Sequence, residues 1–294
     1  MNAVAKLNAV KDVFKGEQFS QLSSFYEEAH RIGWFFMGSE PRPCFTHTLL
    51  DDLANYVSMV KREMRETNQE KYDFLVFASG IKGVFNLGGD LDLFSRLIKE
   101  RDRAALLDYA IKGIDLVYTN IKHFDSDLIT ISLIQGDALG GGLEAALSGN
   151  VIIAERGVKL GCPEALFNLF PGMGAYSILS RKLGKAQAEK IIMSGDLFTA
   201  EEFYEMGAVD ILVEPGQGEA AVYDFIKSVK RSPNSYRAMQ KVKDVCNNLE
   251  YQELLDIGEI WADAALELTE KDLRLMHRLV KRQTVNANAL TAAG

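Results

Sequence analysis

The chain has 294 residues, 47% of them hydrophobic and 25% charged, with a formal net charge of -8. This composition excludes a disordered chain and provides a full-sized core, and its acidic balance argues against general attraction to nucleic acid or anionic membranes. Cys44, Cys162 and Cys246 form neither a disulfide framework nor a zinc spacing, no apolar run approaches the ~18 residues of a membrane span, and no signal-peptide core opens the chain, so a cytoplasmic protein is expected.

In chain order, Ile32 to Met37 and Phe74 to Ala78 are apolar, aromatic runs that read as strands. Between them Leu49, Leu50, Leu53, Val57, Val60 and Met64 recur at steps of three and four, the stripe of a helix with one face on a core. After Asp90, apolar positions from Leu91 to Leu97 and from Leu106 to Ile121 predict two more helices, followed by a strand at Leu128 to Ile134. A short helix from Gly141 to Leu147, a strand at Val151 to Ala154, helices near Tyr176 to Leu183 and Ala186 to Met193, and a strand at Ile211 to Val213 continue the alternation. Beyond Gly216 the pattern is helical, with segments near 219–232, 234–247, 251–268 and 270–283, and residues 284–294 are expected to fray. Strand and helix alternating, then a helical third, argue for an α/β core with a helical extension.

A weak internal repeat points to a site. Leu87-Gly88-Gly89-Asp90-Leu91 and Leu139-Gly140-Gly141-Gly142-Leu143 each follow a strand and open a helix. Glycine turns at helix N-termini offer backbone N–H groups to an oxyanion, and an enolate or tetrahedral oxyanion is best held by two donors. The plain alternative is that such a turn only permits tight strand-to-helix packing. Residues 140–145 also satisfy a relaxed dinucleotide pattern, but about eight residues separate Gly142 from the next strand, too few for a βαβ crossover of a dozen or more. A phosphate loop and a serine nucleophile elbow are both absent.

Glu144 falls in the first turn of the short helix, where the dipole favours a carboxylate. Glu164, between Pro163 and the apolar Ala165-Leu166-Phe167, is placed to have a raised pKa. Alone, each is explained as a helix-start or surface-turn carboxylate. Together, beside two oxyanion turns, they are the parts for moving a proton α to a carbonyl and protonating a leaving hydroxyl. His30, His47, His123 and His277 lack metal-ligand spacing, and Asp90-Leu91-Asp92 reads as a helix start, so no metal is expected. Trp261 with Leu254, Ile257, Ala265 and Leu268, then Leu273, Met276 and Leu279, form apolar stripes that are core, oligomer contact or, with Met173, the wall of an acyl tunnel. Arg274, Arg278, Lys281 and Arg282 form a basic stripe, either a solvated face or a contact for an acidic carrier protein.

Ala138-Leu139-Gly140-Gly141-Gly142-Leu143-Glu144, Gly161-Cys162-Pro163-Glu164, Pro171-Gly172-Met173-Gly174 and Phe85-Asn86-Leu87-Gly88-Gly89-Asp90 together resemble the crotonase (enoyl-CoA hydratase/isomerase) superfamily over most of residues 30–285. The stretches 85–93 and 167–177 are most similar to the diffusible signal factor synthases of Gram-negative bacteria. Ordinary hydratases often carry Gly-Thr where Ala175-Tyr176 stands, and an N-R-P pattern where Arg42-Pro43-Cys44-Phe45 stands, which puts a standard coenzyme A site in doubt.

The resemblance implies a crotonase fold, repeated ββα units in a spiral core. It divides the chain into a flexible N-terminal segment (1–21), the α/β core (22–216), a helical region for acyl pocket and oligomer contacts (217–283) and a flexible tail (284–294). It implies dehydration of a 3-hydroxyacyl group on acyl carrier protein to a cis-2-enoyl thioester and hydrolysis to the free fatty acid signal used in quorum sensing. The alternatives are an enoyl-CoA hydratase/isomerase and a crotonase-fold regulatory binding protein without turnover. Carried over by position, the oxyanion donors are the N–H groups of Leu87 and Gly141 and the acid/base pair is Glu144 and Glu164. Glu164 takes the α-proton and Glu144 protonates the departing hydroxyl, with the two able to exchange roles. Gly88, Gly140, Met173, Trp261, Met276 and Leu279 are assigned to the substrate. No cofactor is expected beyond the carrier protein's phosphopantetheine arm. A trimer or dimer of trimers and a separate sensor-kinase contact are further implications.

Overall fold

A computed structural model describes residues 19–39 and 41–280. Residues 1–18 of the expected N-terminal segment (1–21), the expected tail 284–294, and Lys281 and Arg282 of the basic stripe lie outside these residues. Two sheets form the core. The larger is ordered β1 (Leu22–Glu27), β2 (Ile32–Met37), β3 (Phe74–Ser79), β5 (Ile129–Ile134), β7 (Val151–Glu155) and β10 (Ile211–Val213). All neighbours in it are parallel except the β1–β2 hairpin. The central strands β2 and β5 are buried at every residue, as parallel strands covered on both faces must be.

The smaller sheet contains β4 (Gly83–Asn86), β6 (Gly136–Leu139), β8 (Lys159–Gly161) and β9 (Leu197–Thr199), in that order. Three times the chain leaves a strand of the large sheet, enters a strand of the small one and then turns into a helix or helical turn: β3–β4, β5–β6 and β7–β8. These are the repeated ββα units of a crotonase fold. The strands of the small sheet are three or four residues long and leave little periodicity in the sequence.

Helix α1 (His47–Glu66) buries Leu49, Leu50, Leu53, Tyr56, Val60 and Met64, the predicted face with Tyr56 in place of the half-buried Val57. Thr46 caps it by accepting the Leu49 N–H at 3.1 Å. Helices α2 (Leu91–Glu100) and α3 (Arg103–Ile121) follow β4; α4 (Gly141–Leu147) follows β6; α5 (Ala175–Leu183), α6 (Lys185–Ser194) and α7 (Ala200–Met206) complete the wall. Helix α8 (Gly218–Arg231) covers the other face of the large sheet, packing Ala221, Val222, Ile226 and Val229 on Trp34, Phe36, Val76 and Ile131. Helix α9 (Pro233–Cys246) buries no residue, whereas α10 (Tyr251–Leu266) packs along α3 and carries Trp261. The last helix, 270–280, returns to α2, where His277 meets Ser95 at 3.2 Å.

Candidate active site

The two glycine turns face each other because β4 and β6 pair in parallel, Gly83 with Gly136 and Asn86 with Ala138. In the first turn three N–H groups compete for the role of oxyanion donor, and hydrogen bonding decides among them. The Leu87 N–H donates to the Pro43 carbonyl at 2.8 Å, and the Gly88 N–H donates to Asn86 Oδ1 at 2.8 Å. Both are spent. The Gly89 N–H makes no bond within the described chain, and a Cβ placed on Gly141 would stand 3.7 Å from it. The expected donor Leu87 is therefore corrected to Gly89; the resemblance fixed the turn but not which N–H remained unpaired. In the second turn the Gly141 N–H is free, as the first N–H of a helix is by construction, and Gly140 offers no side chain to cap it.

The first turn is held from behind. The Phe45 N–H donates to the Gly88 carbonyl at 2.8 Å, and Tyr109 ties two segments together, its hydroxyl donating to the Phe45 carbonyl and accepting the Asp90 N–H at 3.2 Å. Arg42 pairs with Asp90 and Asp92. Asp90 meanwhile caps α2 by accepting the Asp92 and Leu93 N–H groups, so the D-x-D pair serves a helix start. Among the described residues no cluster of three or more His, Cys, Asp or Glu could hold a metal ion.

Glu144, on α4, is almost wholly buried. Its Oε1 accepts the N–H groups of Met173 and Ala175, each at 2.8 Å, and so caps α5, whose N-cap residue Gly174 has no side chain to do so. The Pro171-Gly172-Met173-Gly174 turn is the cradle of this carboxylate. Burial pushes the Glu144 pKa up to about 7, and the backbone donors restrain the rise. Glu164 stands on the 3₁₀ turn Pro163–Phe167. Its residue is half-buried, but its Oε2 is sealed from solvent with no hydrogen-bond partner. Burial first, and the negative charge of Glu144 second, push its pKa up to about 8. Both carboxyls are thus held above the ordinary carboxylate range, and the pair titrates as a unit. The form in which one carboxyl is ionised and the other protonated is most populated between the two values. We predict a bell-shaped kcat/KM that rises through about pH 7 and falls through about pH 8, apparent values that belong to the pair.

Glu144 and Glu164 both line one cavity of about 360 Å³, as do Gly89, Gly140, Gly141, Met173, Trp261 and Leu279. Phe45, Phe94, Tyr109 and Phe167 give it an apolar wall that sequence reasoning missed, since they come from four separate elements. Leu166 and Leu197, both exposed, stand at its rim. Two substrate assignments are corrected. Met276 is fully buried in the core and does not line the cavity. Gly88 is also absent from the lining; with φ at 89° it lets the turn pass Leu139 and Gly141, where a Cβ would stand 2.8 Å from the Leu139 carbonyl oxygen.

The sequence model described as enoyl-CoA hydratase/isomerase matches residues 44–244. The chain belongs to the enoyl-CoA hydratase/isomerase family. The fatty acid oxidation complex subunit alpha of Pseudomonas aeruginosa is 32% identical over 171 residues, 58% of this chain and 23% of that one. This chain matches about a quarter of the length of such curated relatives. Among solved structures, enoyl-CoA hydratase from Bacillus halodurans aligns with a TM-score of 0.73 at 19% identity, covering 88% of this chain and all of that one. Pseudomonas aeruginosa DspI aligns with a TM-score of 0.68 at 22% identity, covering 82% and 93%. At these identities the structural likeness speaks to the fold. No helix among the described residues is long and apolar enough to cross a membrane.

Proposed function

We propose that this enzyme adds or removes water across the C2–C3 bond of an acyl thioester. The observation that carries the reading is the placement of Glu144 and Glu164 in one apolar cavity with the free N–H groups of Gly89 and Gly141. The thioester carbonyl accepts both N–H groups, which stabilise the enolate formed during the reaction. In hydration, ionised Glu144 removes a proton from water as its oxygen bonds to C3, and Glu164 delivers its proton to C2. Dehydration runs the same steps backwards from the other proton arrangement, Glu164 taking the C2 proton and Glu144 protonating the departing hydroxyl.

A finer reading is diffusible signal factor synthesis: dehydration of a 3-hydroxyacyl group on acyl carrier protein, then hydrolysis of the thioester. In the second step water attacks the carbonyl, the tetrahedral oxyanion rests on the same two N–H groups, and the carbon–sulfur bond breaks with the thiol regaining its proton. Supporting it are the likeness of residues 167–177 to such synthases and the use of Arg42 within the first turn, paired with Asp90 and Asp92 and so not free for a coenzyme A phosphate. The carrier would bring its own phosphopantetheine arm, and exposed Arg274 and Arg278 suit an acidic carrier. Self-assembly is part of the same reading. Helix α9 exposes Met239, Val242 and Val245, an apolar stripe that fits a subunit contact. A sensor kinase is the further partner that this reading entails.

Mass spectrometry of the products from medium-chain 3-hydroxyacyl carrier protein and 3-hydroxyacyl-CoA tests both readings. A free cis-2-enoic acid from the carrier substrate is the expected outcome for the signal synthase. An enoyl thioester left intact would reduce the function to hydration and dehydration. No change in either substrate would reject both.

A further inference from the structure

Behind the catalytic cavity lies a smaller one of about 40 Å³, room for about three water-sized or methylene-sized groups at ~10–15 Å³ each. Leu53, Phe77, Leu116 and Val117 are among its apolar walls. Asn120 and Ser148, which also line it, are engaged with each other: Asn120 Nδ2 donates to Ser148 Oγ at 2.7 Å, and the Ser148 hydroxyl donates to the Ala145 carbonyl at 2.6 Å. A small cavity of this kind offers water few partners and suits hydrocarbon.

Phe45 and Met173 line both cavities, and of the two Met173 has the flexible side chain. Its N–H is fixed on Glu144, but its thioether runs between two glycines: a Cβ on Gly113 would stand 2.2 Å from Sδ, and one on Gly141 would stand 2.6 Å from Cε. The methyl group therefore sits beside an oxyanion donor, where the acyl chain of a bound thioester begins. An unbranched thioether with three rotatable bonds can swing aside where a branched side chain could not.

The inner cavity is also lined by Phe124, on a turn of unusual backbone. His123, Phe124 and Asp125 have φ of 53°, 56° and 54°, a left-handed run that non-glycine residues rarely adopt. The surroundings hold it there: Lys61 pairs with Asp125 at 2.7 Å, and His123 meets Asp244 at 3.0 Å and Asn150 at 2.7 Å. Strain maintained by such contacts is concentrated at functional positions.

We propose that the inner cavity is the subsite for the distal methylenes of the acyl chain, with the Met173 side chain as its gate and Phe124 as its floor. These two residues then set the chain length the enzyme accepts. The inference rests on the acyl-thioester reading above. The opposing arrangement leaves the whole chain in the outer cavity, beneath Trp261 and Leu279.

The test is kcat/KM for 3-hydroxyacyl thioesters from hexanoyl to tetradecanoyl, with calorimetric binding of the matching saturated fatty acids as a readout independent of turnover. Leu116→Trp fills the inner cavity from a half-buried position, and Met173→Ala opens the gate. Each methylene removed from water contributes about fourfold. Leu116→Trp should lower the ratio of longest to shortest chains about tenfold, and Met173→Ala should raise it by a similar factor. Ratios unmoved within about twofold in both variants, or moved in the same direction, would overturn the proposal. Val57→Phe fills the same space from α1 and takes the place of Leu116→Trp if that variant does not fold. A native chain that turns over no thioester rejects the reaction, and the gate is then decided by fatty-acid affinities, which must still shift in opposite directions.

Discussion

Glu144→Gln and Glu164→Gln are each expected to lower kcat/KM by about 10²–10⁴, the range lost when a positioned general acid or base is removed. The substitutions are informative because each leaves shape nearly unchanged. In Glu144→Gln the amide keeps an oxygen to accept the Met173 and Ala175 N–H groups, so the cap on α5 and the cradle around it persist while proton transfer is lost. Circular dichroism and melting should be close to native, and single-turnover kinetics should show the loss in the chemical step. Full activity in both variants would remove the pair from the mechanism.

Glu164→Gln carries a second expectation, on stability. The folded-state pKa of Glu164 is raised from an ordinary 4.5 to about 8, so the folded chain holds this proton more tightly than the unfolded chain does. Its favourable contribution is complete below about pH 4.5 and is lost as pH rises through about 8. Glutamine does not titrate. The variant should therefore gain on the native chain across that window, melting a few degrees higher at alkaline pH than its relative position at about pH 4.5. A constant difference in Tm at all pH values would show that Glu164 is not held in a setting that penalises its charge.

Gly140→Ala is expected to be as damaging to activity as either glutamate substitution. Gly140 has φ 53° and ψ -126°, a backbone conformation open to glycine and costly for alanine. A Cβ there would stand 2.3 Å from Glu164 Oε1, well inside contact distance. Alanine must therefore displace the carboxyl, twist the turn that presents the Gly141 N–H, or both. A misplacement of about 1 Å at a reacting group can cost ~10² in rate. Loss of stability alone would appear as a lower Tm with kcat preserved in the remaining folded fraction. The expected result is a kcat reduced by ~10² or more in protein that is still folded at assay temperature. Native kcat in Gly140→Ala would show that the turn and Glu164 tolerate the added methyl group.

Several elements were legible because their periodicity belongs to one segment. The face of α1 is written in the spacing of Leu49, Leu50, Leu53, Val60 and Met64, β2 in a nearly continuous apolar run, and β5 in Ile129, Ile131 and Leu133 alternating with Thr130 and Ser132. The second sheet was not. Strands β4, β6, β8 and β9 are too short to show alternation, and they exist because neighbours in space complete their hydrogen bonds. The glycine repeat was visible, yet the strands that aim its two halves at each other were not. The edge strand that precedes β2, Leu22–Glu27, was missed for a related reason: its polar Ser23 and Ser24 give no apolar run, and pairing with β2 holds it in place.

The oxyanion turn shows the same division at the scale of one atom. Sequence alone identified the turn, the two glutamates and the short helix that bears one of them, because these depend on residue type and local spacing. Tertiary structure decided which N–H is free, since Pro43 and Asn86 take those of Leu87 and Gly88 and leave that of Gly89. It also decided that Met173 rather than Met276 meets the cavity, and that burial raises the pKa of both glutamates. Unpaired donors, cavity walls and desolvated charges are set by what lies opposite a residue, and the residues opposite are distant in the chain.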